Sequence, residues 1–270
     1  MAFVYGTAKS ETINAFNGVT SGADKIFGFG GNDRIYGLGG NDEILGGVGA
    51  DHIDGGSGID TANYSDSWMG VYVSLLPSVV GQLGTADGDM LVSIENLTGS
   101  AHNDFLEGNE GVNVLRGLSG NDYLYAYGGN DVMFGGIGDD ILEGDRGNDT
   151  LQGDAGLDVL AGGSGSDRFV WASVEDTGVT VGTADVIDDI NVAEGDRIDL
   201  SEIDADIYAT GNQAFRFIGT AAFSGTPGEI NYAFVAGETV IQLQTGVDAD
   251  VEAVIRLNGF FTPEASWFVL

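Results

Sequence analysis

The sequence has 270 residues and contains no cysteine, three prolines, two histidines and nine basic residues. The absence of cysteine excludes disulfides, thiolate metal sites and thiol catalysis. Nine basic against 42 acidic residues give a formal net charge of −33, which argues against binding nucleic acid or anionic lipid by simple electrostatics. No apolar run approaches the ~20 residues that a membrane-spanning helix needs. The segment MAFVYGTAKSE lacks a basic region followed by an apolar stretch, so we expect no cleaved N-terminal signal peptide.

Glycine, in contrast, is abundant and falls in a fixed nine-residue register. Residues 99–170 form eight consecutive units without insertion: GSAHNDFLE, GNEGVNVLR, GLSGNDYLY, AYGGNDVMF, GGIGDDILE, GDRGNDTLQ, GDAGLDVLA and GGSGSDRFV. The sixth position is Asp in every unit but one, where it is Asn113, and the eighth is always large and apolar. Residues 19–63 form five similar units, and residues 6–14 a degenerate one with Glu11 at the Asp position. A fixed period of this length predicts a repeat architecture.

Each unit predicts a glycine-rich turn of six residues followed by a three-residue strand. No helix is available to cross back, so we expect an all-β, right-handed parallel β-roll with 18 residues per coil. Its apolar core is thin, because each unit buries about one side chain worth roughly 1.5–3 kcal/mol. Ordering nine residues costs more than that. Something besides the core must therefore stabilise the fold.

The sixth-position carboxylates are the candidates for that extra stabilisation. Stacking places one of them at the same edge every 18 residues, where unscreened carboxylates would repel each other. Carboxylate and turn carbonyl oxygens together are the ligand set of a hard cation, and flexible oxygen-only sites favour Ca²⁺ over Mg²⁺. Roughly eight to ten bound Ca²⁺ ions would cancel over half of the net charge and couple folding to metal binding.

These units resemble the calcium-binding nonapeptide of RTX proteins, G-G-x-G-x-D-x-U-x, which bacteria export by type I secretion. In that family each Ca²⁺ lies between adjacent turns and is held by aspartate carboxylates and backbone carbonyls. The resemblance implies a weaker or empty site at Asn113. It implies that the metal ligands are Asp24, Asp33, Asp42, Asp51, Asp60, Asp104, Asp122, Asp131, Asp140, Asp149, Asp158 and Asp167.

The period divides the chain into a first roll block at 1–63, an insertion at 64–98, a second block at 99–170 and a β-rich cap at 171–270. Ala62, a small residue at an apolar position, suggests that the roll is interrupted there. We expect strands at 70–76 and 90–97, forming either an excursion from one continuous roll or a cap between two rolls. Asp87 and Asp89 are candidates for a further Ca²⁺, although a solvated turn is the favoured interpretation.

The sequence of the cap predicts short antiparallel strands separated by Gly, Asn and Asp turns. Its segments 184–205 and 215–232 and the terminal SWFVL resemble the C-terminal domain of serralysin metalloproteases, which implies type I secretion without signal cleavage. Ser266 stands where that family has an acidic residue. We expect the aromatic residues of the cap to form its core: Phe215, Phe217, Phe223, Tyr232, Phe234, Phe260, Phe261, Trp267 and Phe268.

Catalytic machinery is not evident. The H-E-x-x-H motif of zinc proteases is missing, and His52 and His102 are isolated from each other. Asp176-Thr177-Gly178 matches the aspartic-protease tripeptide, but such a site needs a second copy. No G-x-G pattern precedes a helix, so nucleotide binding is not indicated.

The leading hypothesis is a secreted, extracellular, non-enzymatic calcium-binding protein that folds in extracellular Ca²⁺ and acts in host or surface interaction. Its expected partners are calcium and a type I secretion apparatus. One alternative is a carbohydrate-binding module similar to the R-modules of alginate epimerases, with Tyr123, Tyr125 and Tyr127 as an aromatic platform for a polysaccharide. The other is a protease-derived fragment without its catalytic domain.

Overall fold

The computed structural model describes all 270 residues and contains β-strands and four short 3-10 helices, with no α-helix. Each 3-10 helix has three residues, so none of them could span a bilayer. The chain divides into two compact units, Met1–Val132 and Met133–Leu270. The predicted all-β class is confirmed. The 3-10 helices are Ala15–Asn17, Gly84–Ala86, Val174–Asp176 and Ala265–Trp267.

Strands of the first unit form three parallel sheets, each built from strands of two to six residues. The strands are β1 (Phe3–Tyr5), β2 (Thr12–Ile13), β3 (Lys25–Phe27), β4 (Arg34–Tyr36), β5 (Glu43–Leu45), β6 (His52–Asp54), β7 (Thr61–Asn63), β8 (Tyr72–Ser74), β9 (Met90–Val92), β10 (Asn96–Thr98), β11 (Phe105–Asn109), β12 (Val114–Ser119) and β13 (Tyr123–Tyr127). The first sheet has the order β1-β3-β5-β7-β10-β12, the second β2-β4-β6-β9 and the third β8-β11-β13. Apart from the consecutive strands β8 and β9, successive strands thus alternate between the first sheet and one of the other two, as an 18-residue coil requires.

The register of these sheets aligns the eighth-position residues into an internal ladder. In the first sheet Ile26 pairs with Ile44, and Leu97 with both Ala62 and Leu115. All five side chains are completely buried. Since alternate residues of a strand face opposite sides of a sheet, the residues on either side of each ladder position face outward.

The insertion continues the roll rather than capping it. Strand β10 pairs in parallel with β7 before the insertion and with β12 after it, so the first sheet runs through Ala62 without a break. The change occurs at the opposite face, where β9 pairs with β6 and β8 pairs with β11. The segment 90–97, expected as one strand, is two strands, because the chain crosses between sheets within it.

The division between the units falls in β14 (Val132–Ile137), and the second unit continues to the end of the chain. Its further strands are β15 (Ile141–Glu143), β16 (Thr150–Ala155), β17 (Val159–Ala161), β18 (Arg168–Val170), β19 (Asp185–Ile187), β20 (Arg197–Asp199), β21 (Arg216–Phe217), β22 (Glu229–Val235), β23 (Glu238–Gln244), β24 (Ala253–Leu257) and β25 (Phe268–Val269).

Parallel stacking extends past the repeats into the region expected to be an antiparallel cap. Strand β19 pairs in parallel with β17, and β20 pairs in parallel with β18 and β25. Antiparallel pairing is limited to β22, β23 and β24. The parallel strands continue because Ile187 and Ile198 occupy the buried ladder position without a glycine-rich turn before them.

The aromatic residues of the cap form its core only in part, which corrects the sequence-based expectation. Phe215 and Phe268 are buried and five of the nine are half-buried, whereas Phe234 is 52% and Phe260 73% exposed. The reason is that burial declines along β22 toward the hairpin at 236–237. Tyr232, Phe234 and Phe260 therefore form a contacting row with ring centroids 5.7 and 5.8 Å apart that solvent reaches.

Candidate metal centre

The sixth-position aspartates are buried, although each carries a carboxylate. All twelve that the sequence marks as ligands are at most 4% exposed. Burying an ionised carboxylate is costly unless hydrogen bonds or a cation compensate it. The stability of the folded chain therefore depends on what each carboxylate oxygen contacts.

In the first block, one oxygen of every sixth-position carboxylate accepts a hydrogen bond from the main chain of the preceding coil. Oδ1 of Asp60 accepts a hydrogen bond of 2.8 Å from the N–H of Asp42, and in the second unit Asp167 accepts one of 2.9 Å from Asp149. Donor and acceptor residues are 18 positions apart in both cases. The predicted stacking of these residues at one edge is thus present within each unit.

The second carboxylate oxygen is unpaired at many of these positions. Oδ2 is buried and has no hydrogen-bond partner in Asp33, Asp42, Asp51, Asp60, Asp158 and Asp167. An unsatisfied buried acceptor costs about 1–3 kcal/mol, and more for a charged group. Six such oxygens in a regular array are groups that a bound cation could satisfy.

Backbone carbonyl oxygens approach the same unpaired oxygens. A methyl group added to Gly37 would lie 2.4 Å from the carbonyl oxygen of Gly55 and 2.6 Å from Oδ2 of Asp42. The first glycine of the unit therefore leaves room for two oxygens from successive coils to converge. No group of three or more acidic or histidine side chains converges anywhere in the chain, so a cation at these turns must draw on main-chain oxygens. Such an oxygen-only donor set fits Ca²⁺.

Burial and mutual repulsion raise the pKa of several of these groups, whereas hydrogen bonds from Ala2 and Thr20 help to lower the pKa of Asp24. Desolvation is the main cause, and it raises the pKa of Asp42 and Asp51 to about 6, of Asp167 to about 7 and of Asp158 to about 8. Neighbouring carboxylates add to the shift, as Asp185 does for Asp158. A bound cation would oppose both causes and favour the ionised form.

The backbone of most turns is left-handed at two positions. The fourth position is glycine, with φ of 101° at Gly31 and 105° at Gly40. The second position is left-handed even where it carries a large side chain, with φ of 70° at Phe29 and 73° at Leu38. This conformation costs a non-glycine residue roughly 1–2 kcal/mol. The turn shape is thus imposed by coil stacking rather than by glycine alone.

Three further aspartates occupy the same place in the coil but were missed by the repeat pattern. Asp89 accepts the N–H of Asp51 at 2.8 Å, Asp185 that of Asp158 at 3.0 Å, and Asp196 that of Asp167 at 2.9 Å. All three are buried. Each begins an Asp-x-apolar tripeptide, which is the signal that could have found them without the glycines.

The favoured interpretation of the 85–89 turn as solvated is wrong for Asp89, although Asp87 is exposed. Asp89 is enclosed because Tyr64, a buried residue, donates a hydrogen bond of 3.1 Å from its hydroxyl to Oδ2 of Asp89. Burial and the nearby Asp51 raise the pKa of Asp89 to about 8.

Asn113 also lies in the stack, with its side chain bonded at both ends. Its Oδ1 accepts from the N–H of Asn109 at 2.8 Å, and its Nδ2 donates to the carbonyl of Glu95 at 2.7 Å. Both polar atoms of the Asn113 amide therefore have protein partners, whereas Asp33 and Asp42 each leave one carboxylate oxygen unpaired.

The residues considered for catalysis have structural roles. Oδ2 of Asp176 accepts the backbone N–H groups of Ala172 and Ser173, and Thr177 donates from its hydroxyl to the carbonyl of Val254. The Asp-Thr-Gly tripeptide is therefore a turn that ties the roll to β24.

Comparison with known proteins identifies the repeats. The family model of the RTX calcium-binding nonapeptide repeat (4 copies) matches residues 19–44, 27–62, 98–133, 107–142 and 134–169. Residues 19–62 and 98–169 are RTX calcium-binding nonapeptide repeats. RTX repeats bind calcium, so the cation suggested by the unpaired oxygens is Ca²⁺.

Solved structures that match part of this chain include two subunits of a mannuronan C5-epimerase from Azotobacter vinelandii. The R3 subunit is 23% identical with a TM-score of 0.37, and the match covers 62% of this chain and 78% of the subunit. The R2 subunit is 24% identical with a TM-score of 0.40, covering 65% of this chain and 92% of the subunit. No curated protein matches this chain.

Proposed function

We propose that this chain is a secreted, non-catalytic RTX protein whose rolls fold when extracellular Ca²⁺ binds. The observation that carries the proposal is the array of buried, unpaired Oδ2 atoms in stacked turns. With 42 acidic and nine basic residues, the chain itself offers too few cations to neutralise them. Its basic side chains form ion pairs elsewhere, for example Lys25 with Glu43 and Arg256 with Glu238.

The residues that would hold Ca²⁺ are the sixth-position aspartates together with turn carbonyls such as that of Gly55. When bound, the ion supplies positive charge that the thin apolar ladder cannot replace. Extracellular calcium modules bind in the range of about 10⁻⁴–10⁻³ M. At lower concentration the carboxylates repel each other and the chain stays unfolded, a state suited to type I export. Roughly eight to ten ions would then bind cooperatively with folding.

Outside the cell we propose a role in host or surface interaction rather than catalysis. The test of the folding switch is far-UV circular dichroism of the full chain during Ca²⁺ titration, with Mg²⁺ at the same concentrations as control. We expect a transition from disordered to β signal with Ca²⁺ and a much weaker response to Mg²⁺. Equal β content in chelator and in excess Ca²⁺ would contradict the proposal.

A second candidate function is binding of carbohydrate, favoured by an aromatic stack on the third sheet. The ring of Phe105 lies 5.2 Å from that of Tyr72 and 4.8 Å from that of Tyr123. Tyr72 also donates a hydrogen bond of 3.0 Å to Glu107 beside the stack. A polyanionic glycan would need Ca²⁺ to bridge it to a chain of this charge. A glycan array run in Ca²⁺ tests this candidate, and silence on both acidic and neutral sugars would remove it.

The remaining alternative, a fragment of a protease, is tested by incubating the purified chain with casein in Ca²⁺. We expect no turnover. Hydrolysis that persists after repurification would contradict the non-catalytic assignment.

A further inference from the structure

The turns of the repeat units have two distinct backbone conformations. In the first, here called the open turn, the second and fourth positions are both left-handed. In the second, here called the closed turn, neither is. The open turns are the ten with second positions Phe29, Leu38, Gly47, Gly56, Leu118, Tyr127, Gly136, Asp145, Asp154 and Gly163. The closed turns are the four that begin at Gly6, Val19, Gly99 and Gly108.

In a closed turn the protein itself satisfies the sixth-position side chain. The N–H of Thr20 donates to Oδ2 of Asp24 at 2.6 Å, and the Thr20 hydroxyl donates to the same atom at 2.9 Å. Oδ1 of Asp24 accepts the N–H of Ala2 at 2.7 Å. Both oxygens of this carboxylate therefore have partners without any ion.

The other three closed turns repeat this arrangement with different side chains. The N–H of Ser100 donates to Oδ2 of Asp104, and the Ser100 hydroxyl donates to Oδ1 at 2.8 Å. The N–H of Thr7 donates to Glu11, and Asn109 makes the bond to Asn113 described above. The second position of a closed turn is Ser, Thr or Asn in every case.

The open turns of the first block lack this internal bond. Oδ2 has no hydrogen-bond partner in Asp33, Asp42, Asp51 and Asp60, which follow the open turns of the first block. The left-handed second residue accompanies the loss of the N–H donor that the closed turn directs at the carboxylate. The open turn thus leaves one buried carboxylate oxygen available to a cation, and the closed turn does not.

From this geometry we infer that Ca²⁺ binds only at open turns, and that Asp24 and Asp104 are not calcium ligands. The inference rests on the proposed function and sharpens its ligand set. The closed turns come in pairs, one before a strand of each facing sheet, at the start of each block. Each block therefore begins with one coil whose sixth-position side chains are bonded by the protein itself.

The far ends of the stacks are closed as well, by side chains from outside the repeats. Oδ2 of Asp89 accepts from the Tyr64 hydroxyl at 3.1 Å, and Oδ2 of Asp185 accepts from the indole Nε1 of Trp171 at 2.7 Å. These donors occupy the oxygen that open turns leave unpaired. We therefore assign Asp89 and Asp185 to the metal-independent ends too.

The test compares Asp24→Asn with Asp42→Asn in the full chain, since the two residues are buried and stacked 18 positions apart. Native mass spectrometry counts bound Ca²⁺, and circular dichroism gives the folding midpoint. Asp42→Asn should lose at least one ion and need severalfold more Ca²⁺ to fold. Asp24→Asn should keep the wild-type ion count. Asp104→Asn and Asp60→Asn form a second matched pair in case a variant does not fold at saturating Ca²⁺.

Loss of an ion from Asp24→Asn or Asp104→Asn, equal to that from their partners, would overturn the closed-turn assignment and leave calcium-driven folding intact. An unchanged count in Asp42→Asn and Asp60→Asn would overturn it as well. A wild-type chain that binds no Ca²⁺ would instead overturn the proposed function itself.

Discussion

Asp51 accepts, through Oδ1, a hydrogen bond of 2.8 Å from the backbone N–H of Asp33, one coil earlier in the chain. The sixth-position side chain thus holds two coils together through one oxygen while the other oxygen stays unpaired. Asparagine can keep the first interaction and removes the charge. Substitution by Asn therefore separates the role in stacking from the role in binding a cation.

The metal-free roll should lose stability as the pH rises. Burial raises the folded-state pKa of Asp167 to about 7 and of Asp158 to about 8, from an ordinary value of 3.8. Across that window the folded state holds protons that the unfolded state has released, so the free energy of unfolding falls with increasing pH. In chelator, far-UV circular dichroism should therefore show more β signal at pH 5 than at pH 8, where the proposed function leaves the metal-free chain unfolded. A β signal in chelator that rises with pH would contradict this.

Calcium affinity, in contrast to the stability of the metal-free roll, should increase as the pH rises over the same window. Because Ca²⁺ requires ionised carboxylates, binding releases the protons held by groups such as Asp158. We expect the Ca²⁺ concentration at the midpoint of folding to decrease as the pH is raised from 6 to 8. Calorimetry in two buffers of different ionisation enthalpy measures the released protons, and an absence of proton release at pH 6 would count against the shifted pKa values.

Replacing the fourth-position glycine should damage an open turn and spare a closed one. A methyl group on Gly40 would lie 2.4 Å from the backbone nitrogen of Ala23, and the φ of Gly40 is 105°. A methyl group on Gly22 would meet only the Thr20 hydroxyl, at 3.8 Å, and the φ of Gly22 is not left-handed. Gly40→Ala should cost about 1–3 kcal/mol of unfolding free energy in saturating Ca²⁺. Gly22→Ala should cost little, and equal losses would refute the two-turn description.

Tyr64→Phe should destabilise the first unit by leaving Oδ2 of Asp89 unsatisfied. The hydroxyl is buried, and removing one partner of a buried hydrogen bond costs about 1–3 kcal/mol. The control is Tyr5→Phe, because Tyr5 is 61% exposed. Chemical unfolding in saturating Ca²⁺ measures the difference, and no loss in Tyr64→Phe would show that Asp89 finds another partner.

Leu97→Ala should weaken the ladder where the two blocks meet. Leu97 is fully buried and lies in register between Ala62 and Leu115. Truncating a buried leucine costs about 2–5 kcal/mol, and the small neighbour Ala62 offers no side chain to fill the space. Ile59→Ala, at a residue 56% exposed, serves as the control. Comparable thermal melting of both variants would contradict the assigned ladder.

The parts of the fold that follow from the nine-residue spacing were predictable from sequence. Turn and strand alternate locally, so Ile44 and Leu115 could be placed inside, and Asp42 at an edge, without knowing the rest of the chain. The pairing of β10 with both β7 and β12 could not be, because it depends on how a long irregular segment returns to the stack.

Within the candidate site, the period located the carboxylates but not their partners. Asp24 and Asp42 occupy the same repeat position, yet only the first is bonded by Thr20. Asp89 escaped the period because Tyr64 and the 3-10 helix at 84–86 replace the glycine turn before it. The sequence did not predict the exposed row of Tyr232, Phe234 and Phe260, because aromatic content does not show which end of a hairpin projects into solvent.

Because strands alternate between facing sheets, it matters whether a block gains an odd or an even number of units. Because stacking partners are 18 residues apart, duplicating a two-unit segment would add one coil and leave every later turn on its own edge. Duplicating a single nonapeptide would move every later turn to the opposite edge and separate Asp51 from its successor Asp89. Length variation in rolls of this kind should therefore proceed in even steps, with irregular segments such as 64–98 serving to absorb odd ones.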